Sequence, residues 1–315
     1  MKLGIDLGGS HISVGIISEK LKIVAKREKD IENIFKIENI EERKEYIINT
    51  IKNLISEVLK DVGAPSCVIS QIGISTPGKV RKNVIYEMYN LGIKEFNLPE
   101  ELEKYYGAEV KARNDAKCAA LAEKEIGSLK QYDDCIFLCL GTGIGGATFL
   151  EGKLLEYHKE EGSEYGHMII QKGGRECKCG NKGCFEKYAS MKAFKEGFIQ
   201  LLDLREDITS EMLLQILKEK VEENDKKVNE YIDEYIDYLL TGISNIVNII
   251  RPEAICIGGS FVHYREILYM RLIEKIKENK YNAHMPIIIL AELKNDAGVI
   301  GSQIAIQNYK KFAIV

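Results

Sequence analysis

A strand, a glycine-rich turn and a second strand follow one another twice in this chain of 315 residues: LGIDLGGSHISVGII at 3–17 and FLCLGTGIGGATFL at 137–150. So short a turn forces the two strands of each copy into an antiparallel hairpin. The recurrence of the device points to two related domains facing each other across a cleft. The spacing between the copies, and a length too great for one hydrophobic core, favour the same division.

What lies around the hairpins alternates strand and helix patterns, the mark of an α/β protein with mixed sheets. EERKEYIINTIKNLISEVLK at 41–60 places Ile47, Ile51, Leu54, Ile55, Val58 and Leu59 on one helical face. VISQIGIST reads as a buried strand that runs into the turn Pro77-Gly78, and the chain is then less regular to about residue 97. LPEELEKYYG reads as a short helix stopped by Gly107. In VKARNDAKCAALAEKEIG a strand gives way to a helix that Asn114 or Asp115 can cap. Residues 191 to about 251 are helical by pattern. EAICIGGS runs as a strand into a further glycine turn, and PIIILAEL is the last strand.

Charge and composition exclude several classes. The net charge of −4 gives no electrostatic reason for nucleic acid or an acidic membrane as a partner. MKLGIDLGGS lacks the apolar run of a signal peptide, and no stretch approaches the ~18 apolar residues that span a bilayer. A cytoplasmic location follows, where the eight cysteines are thiols unless something else occupies them.

Gly141-Thr142-Gly143-Ile144-Gly145-Gly146 matches the dinucleotide pattern G-x-G-x-x-G, but ATFLEG after it favours a strand where that pattern needs a helix. A glycine hairpin can still aim several N–H donors at phosphate, since no Cβ blocks the approach. Asp6 beside the first turn can hold a hydrated Mg²⁺. Either turn alone reads as a plain hairpin. Together, with Ser10 in one and Thr142 in the other, they favour nucleotide binding. Asp115, at a strand-to-helix junction, can be a simple helix cap or the base that takes a hydroxyl proton during phosphoryl transfer.

Residues 166–186, GHMIIQKGGRECKCGNKGCFE, give the spacing H-x9-C-x-C-x4-C through His167, Cys177, Cys179 and Cys184. Four such ligands on a short glycine-rich loop suit tetrahedral, structural zinc. A redox pair would prefer C-x-x-C beside a thioredoxin-like pattern, and a nucleic-acid knuckle would want basic and aromatic neighbours. Zinc on this loop would fix Glu164 and Glu186 in place, as a polyhydroxylated ligand requires. The glycine turns, far off along the chain, are expected to hold nucleotide independently of that metal.

With these pieces in order, the chain resembles the ROK family of bacterial sugar kinases and sugar-responsive repressors. DLGGSH at 6–11, GISTPG at 73–78, NDAKCAALAE at 114–123 and LGTGIGG at 140–146 carry the resemblance. So do EYGH at 164–167, CKCGNKGCFE at 177–186, IGGS at 257–260 and AGVIG at 297–301. It implies the actin-like, hexokinase-like (ribonuclease H-like) fold: two α/β domains with ATP and sugar in the interdomain cleft. The smaller domain would be 1–113, with a helix at about 300–315 packing back on it, and the larger 114–299 with the zinc loop. Asp115 becomes the general base. Asn114, Glu164, His167 and Glu186 hold sugar hydroxyls beside Gly78. Asp6, Gly8, Gly9, Ser10, Gly141, Thr142 and Gly143 serve Mg-ATP, with Gly258 and Gly259 near the adenosine. The implied activity is phosphorylation of a hexose by ATP, with glucose first and an N-acetylhexosamine such as N-acetylmannosamine as the alternative. A homodimer or homotetramer is implied too. The family's repressors carry a DNA-reading domain before the first hairpin, and here the hairpin begins at residue 3, so a catalytic member is expected. The sequence departs from the family at Ser10-His11 (usually Thr-Lys), in lacking tryptophan after Asn90-Leu91, and at His158-Lys159-Glu160-Glu161.

Overall fold

The computed structural model describes residues 1–156, 162–205, 208–278 and 284–308. The departure at 158–161 and the last residues of the helix expected at 300–315 therefore lie outside the described residues. The chain forms two compact units. The first comprises Met1–Gln131, Lys153–Gly162 and Glu292–Val315, the second Tyr132–Gly152 and Ser163–Ala291.

In the first unit the strands are β1 (Lys2–Leu7), β2 (His11–Ile17), β3 (Ile23–Asp30), β4 (Gln71–Thr76), β5 (Lys79–Arg81), β6 (Val84–Met88), β7 (Ile93–Phe96) and β8 (Glu109–Asn114). Its helices up to residue 131 are α1 (Ile40–Asp61), α2 (Leu98–Tyr106) and α3 (Asp115–Ile126). The main sheet has the order β3-β2-β1-β4-β8, antiparallel through the hairpin and parallel from β1 to β4 to β8. Asn39 caps α1 by accepting from the N–H groups of Glu41 and Glu42. The buried face of α1 includes all six apolar residues picked out by periodicity.

Residues 79–96, which read as irregular, form a second sheet of order β5-β6-β7. Strands of three to five residues, one of them interrupted by the exposed Lys94 and Glu95, are too short for alternation to show.

The second unit repeats the first. Its elements are β9 (Cys135–Leu140), β10 (Ile144–Leu150), α4 (Glu186–Ala189), α5 (Met191–Leu201), α6 (Ser210–Glu222), α7 (Lys226–Ile250), β12 (Ala254–Gly258), α8 (Met270–Glu278) and β13 (Ile287–Leu290), while β11 (Lys153–Leu154), on the segment assigned to the first unit, pairs at the edge beside β10. The order β10-β9-β12-β13 reproduces β2-β1-β4-β8: an antiparallel hairpin whose first strand is followed by two parallel neighbours. The helical stretch from 191 breaks into three helices. Each begins at a side-chain cap, Ser190, Thr209 or Asp225, and α7 ends at Arg251 in the left-handed region, just before Pro252.

The last helix, α9 (Ala297–Asn308), belongs to the first unit and lies directly on its sheet. Gly15, Gly4 and Gly73 stand side by side on neighbouring strands. A Cβ on Gly4 would sit 2.0 Å from the Val299 carbonyl oxygen, and one on Gly73 2.2 Å from that of Ser302. The missing side chains make the groove that α9 fills. On its other side α9 meets α3, where a Cβ at Gly301 would be 1.8 Å from the Cys118 carbonyl oxygen. Because α3 packs so closely on α9, it goes with the first unit, and the division falls after residue 131 where the sequence suggests 113. Among the described residues no helix is long and apolar enough to cross a membrane.

Candidate active site

Asp115 is the first residue of α3, and its position follows from the cap before it. Asn114 ends β8 and accepts the N–H groups of Ala116 and Lys117 through Oδ1, at 3.1 and 3.4 Å. Its amide nitrogen donates one proton to the Gly78 carbonyl, at 3.0 Å. Asn114 is thus the cap, and it also ties the loop after β4 to the start of α3. Gly78 has φ +92°, and a Cβ there would lie 2.3 Å from the Tyr86 carbonyl oxygen, so only glycine fits. Two residues to either side of Asp115, the buried Arg113 and Lys117 reach Glu156, at 2.5 and 3.9 Å.

The Asp115 side chain keeps an exposed face, yet the protein around it withdraws enough water to push its carboxyl up to about 6. Burial is the largest cause, and the negative charge of Asp6 adds to it. The Ala116 N–H and the Asn114 side chain pull the other way. Asp6, near the end of β1, accepts a hydrogen bond from Ser75 Oγ at 2.6 Å and lies 3.9 Å from His11 Nε2. Burial raises its pKa also, opposed by the Ser75 bond and by the charges of His11 and Lys26. Two carboxyl groups close enough to feel one another, both raised, mark a place prepared for a proton or a cation. Ser75 carries no signal in the sequence beyond its place in GISTPG.

The first glycine turn, Gly8-Gly9-Ser10, closes with the Gly8 N–H on the His11 carbonyl at 2.9 Å. Gly9 packs against Asn90, 3.1 Å from where its Cβ would be, and Ser10 is exposed at the tip.

In the second unit the turn Gly141-Thr142-Gly143 joins β9 to β10, and Thr142 is exposed. The strand after it confirms that this is no dinucleotide fold. The Gly141 carbonyl accepts from Lys192 N–H at 3.1 Å, at the start of α5. Gly258 ends β12 and Gly259, with φ +73°, lies against the Leu140 carbonyl. A helical turn, Gly259–Tyr264, follows where the sequence suggests a simple glycine turn.

His167, Cys177, Cys179 and Cys184 converge: one ligand atom from each lies within 4.8 Å of the others. His167 Nδ1 is 3.7 Å from Cys177 Sγ, and the Cys179 and Cys184 sulfurs are 3.5 Å apart with no disulfide. Four ligands at tetrahedral zinc distances have sulfurs about 3.8 Å apart. The set fits such an ion. Glu164 sits just before the helical turn Tyr165–His167 and is exposed. Glu186 opens α4. One of its oxygens is 3.2 Å from Cys177 Sγ, and the other is 2.6 Å from where a Cβ on Gly143 would be. The second glycine turn is therefore not remote from the cysteine cluster, contrary to expectation: Glu186 touches both.

The sequence model of the ROK family matches residues 2–308. The chain belongs to the ROK family. A glucokinase of Thermotoga maritima is 30% identical over 95% of each chain. A xylose repressor of Bacillus subtilis is 27% identical over 89% of this chain and 69% of the repressor. Among solved structures, a Listeria monocytogenes protein proposed to be an N-acetylmannosamine kinase superposes with a TM-score of 0.81 at 25% identity, over 98% of this chain and 99% of that one. The fold of this ROK protein is the actin-like kinase fold, built twice on one sheet order.

Proposed function

We propose that this ROK protein is an ATP-dependent sugar kinase, with glucose the first substrate to test and an N-acetylhexosamine such as N-acetylmannosamine the second. The observation that carries the reading is Asp115, held at the head of α3 by the Asn114 cap and raised towards neutrality beside Asp6. Phosphoryl transfer needs positioning, charge neutralisation and a base, and little else from the protein. The sugar hydroxyl oxygen bonds to the γ-phosphorus while its proton passes to the Asp115 carboxylate. The bond from phosphorus to the β–γ bridging oxygen breaks, and ADP leaves with that electron pair.

The remaining residues fall into roles around that step. Asp6 would hold Mg²⁺ through its waters, which neutralises phosphate charge. The N–H groups of Gly8–Ser10 and Gly141–Gly143 would face the phosphates, and Gly258-Gly259 the adenosine. Glu164, Glu186, His167 and the remaining Asn114 N–H would receive the sugar hydroxyls. His167 turns Nδ1 to the cysteines, so Nε2 is left for a hydroxyl, and zinc on Nδ1 would fix that tautomer. The metal's contribution is order in this loop.

The similarity to a glucokinase supports the kinase reading, and the similarity to a xylose repressor supports a second one, a regulator that binds sugar without turning it over. A panel of hexoses and N-acetylhexosamines with Mg-ATP, read by coupled ADP release, separates them. Sugar-dependent ADP formation is expected. Sugar binding by calorimetry with no ADP formed from any member of the panel would favour the regulator.

A further inference from the structure

Glu123 closes the run NDAKCAALAE and has no part in the transfer just described. It lies in the last turn of α3, fully buried, and both its carboxyl oxygens are engaged. Oε2 accepts from the Ser128 N–H at 2.8 Å. Oε1 accepts from the N–H groups of Glu292 and Leu293, at 3.0 and 2.9 Å. Its own backbone carbonyl takes the N–H groups of Gly127 and Leu129. A Cβ on Gly127 would lie 2.2 Å from Oε2, so the chain can pass this closely only as glycine.

The chain leaves the first unit after Gln131, rejoins it for Lys153–Gly162, and returns for the last time at Glu292. One side chain thus holds the last residues before an exit and the first residues after a return. It does so from the same helix that begins with Asp115. Eight residues separate the two carboxylates, about 12 Å along a rigid helix. A buried carboxylate with three backbone donors is fully satisfied, and removing it strands those N–H groups.

The geometry points to Glu123 as a positioning residue that fixes the Asp115 helix against the chain segments at 128 and 292–293. This role rests on the kinase reading above. Its force comes from the sensitivity of transfer to alignment, where a misplacement of about 1 Å can cost on the order of 10²-fold in rate.

Two variants test it. Glu123→Gln keeps one acceptor oxygen and turns an NH₂ group on the other pair of donors. Leu293→Pro leaves Glu123 intact and removes a single donor. Leu293 has φ −79°, which proline accepts, so this variant keeps the fold if the first does not. In both, kcat is expected to fall by roughly tenfold or more, with the KM values for sugar and Mg-ATP changed by less than about threefold. In Glu123→Gln the amides of Ser128, Glu292 or Leu293 should also exchange with solvent faster than in the wild type, while the core strands do not. Unchanged turnover in both variants, or KM values rising in step with the loss of kcat, would overturn the positioning role, as would unaltered exchange at all three amides. Wild-type turnover is read in the same assay, so a chain that phosphorylates no sugar counts against the kinase reading and is told apart from failure of this one.

Discussion

At Asp115 two demands meet: the carboxylate must be ionised to accept a proton, and its surroundings disfavour the charge. Its pKa of about 6, against an ordinary 3.8, sets a pH profile. Below about pH 6 the carboxyl is protonated and cannot act as base, so kcat/KM should fall about tenfold per pH unit on the acid side. Asp6 contributes to that limb through its charge on Asp115, and His11 and Lys26 act on Asp6 in turn. The stability effect has the opposite sense. A carboxyl raised in the folded state binds its proton more tightly there than in the unfolded chain, so its contribution favours folding increasingly as pH falls from about 6 to 3.8. Asp115→Asn removes both effects: the acid limb near 6 disappears from residual activity, and the melting temperature loses that part of its pH dependence. An acid limb that persists near pH 6 in Asp115→Asn would assign it to another group.

Among the elements, the cysteine loop makes the firmest claim. One zinc per chain is expected on His167, Cys177, Cys179 and Cys184, measured by metal analysis of the purified protein. Cys179→Ser should lose the metal and weaken sugar binding most. Because Glu186 lies against both Cys177 and Gly143, ATP affinity should also fall, by less than sugar affinity, in separate titrations of each ligand. Metal-free wild type with intact sugar affinity would contradict this. The loop was legible because ligand spacing and glycines are local signals. So was α1, where twenty-two residues give periodicity room to show. The sheet at 79–96 was not, since its strands are too short to alternate visibly. The breaks between α5, α6 and α7 were written in the caps Thr209 and Asp225, single polar residues that the helical pattern on either side runs past. The contact of Glu186 with Gly143 joins positions more than forty residues apart, and no local pattern announces it.

For the whole molecule, the repeated hairpin foretold the repeated architecture, because each hairpin opens a sheet of the same order. The assignment of α3 and α9 to one unit could not be read the same way. It depends on glycines in four separated elements, whose role appears only when the backbones they admit are in place. The proposed reaction requires a base above all. Its centre is Asp115. The most direct measurement is steady-state phosphorylation by Asp115→Ala, paired with calorimetric sugar binding. The account predicts that kcat drops by at least roughly 10²-fold while sugar affinity changes only a few-fold. Wild-type turnover in that variant would reduce Asp115 to a residue of the helix start and contradict the account.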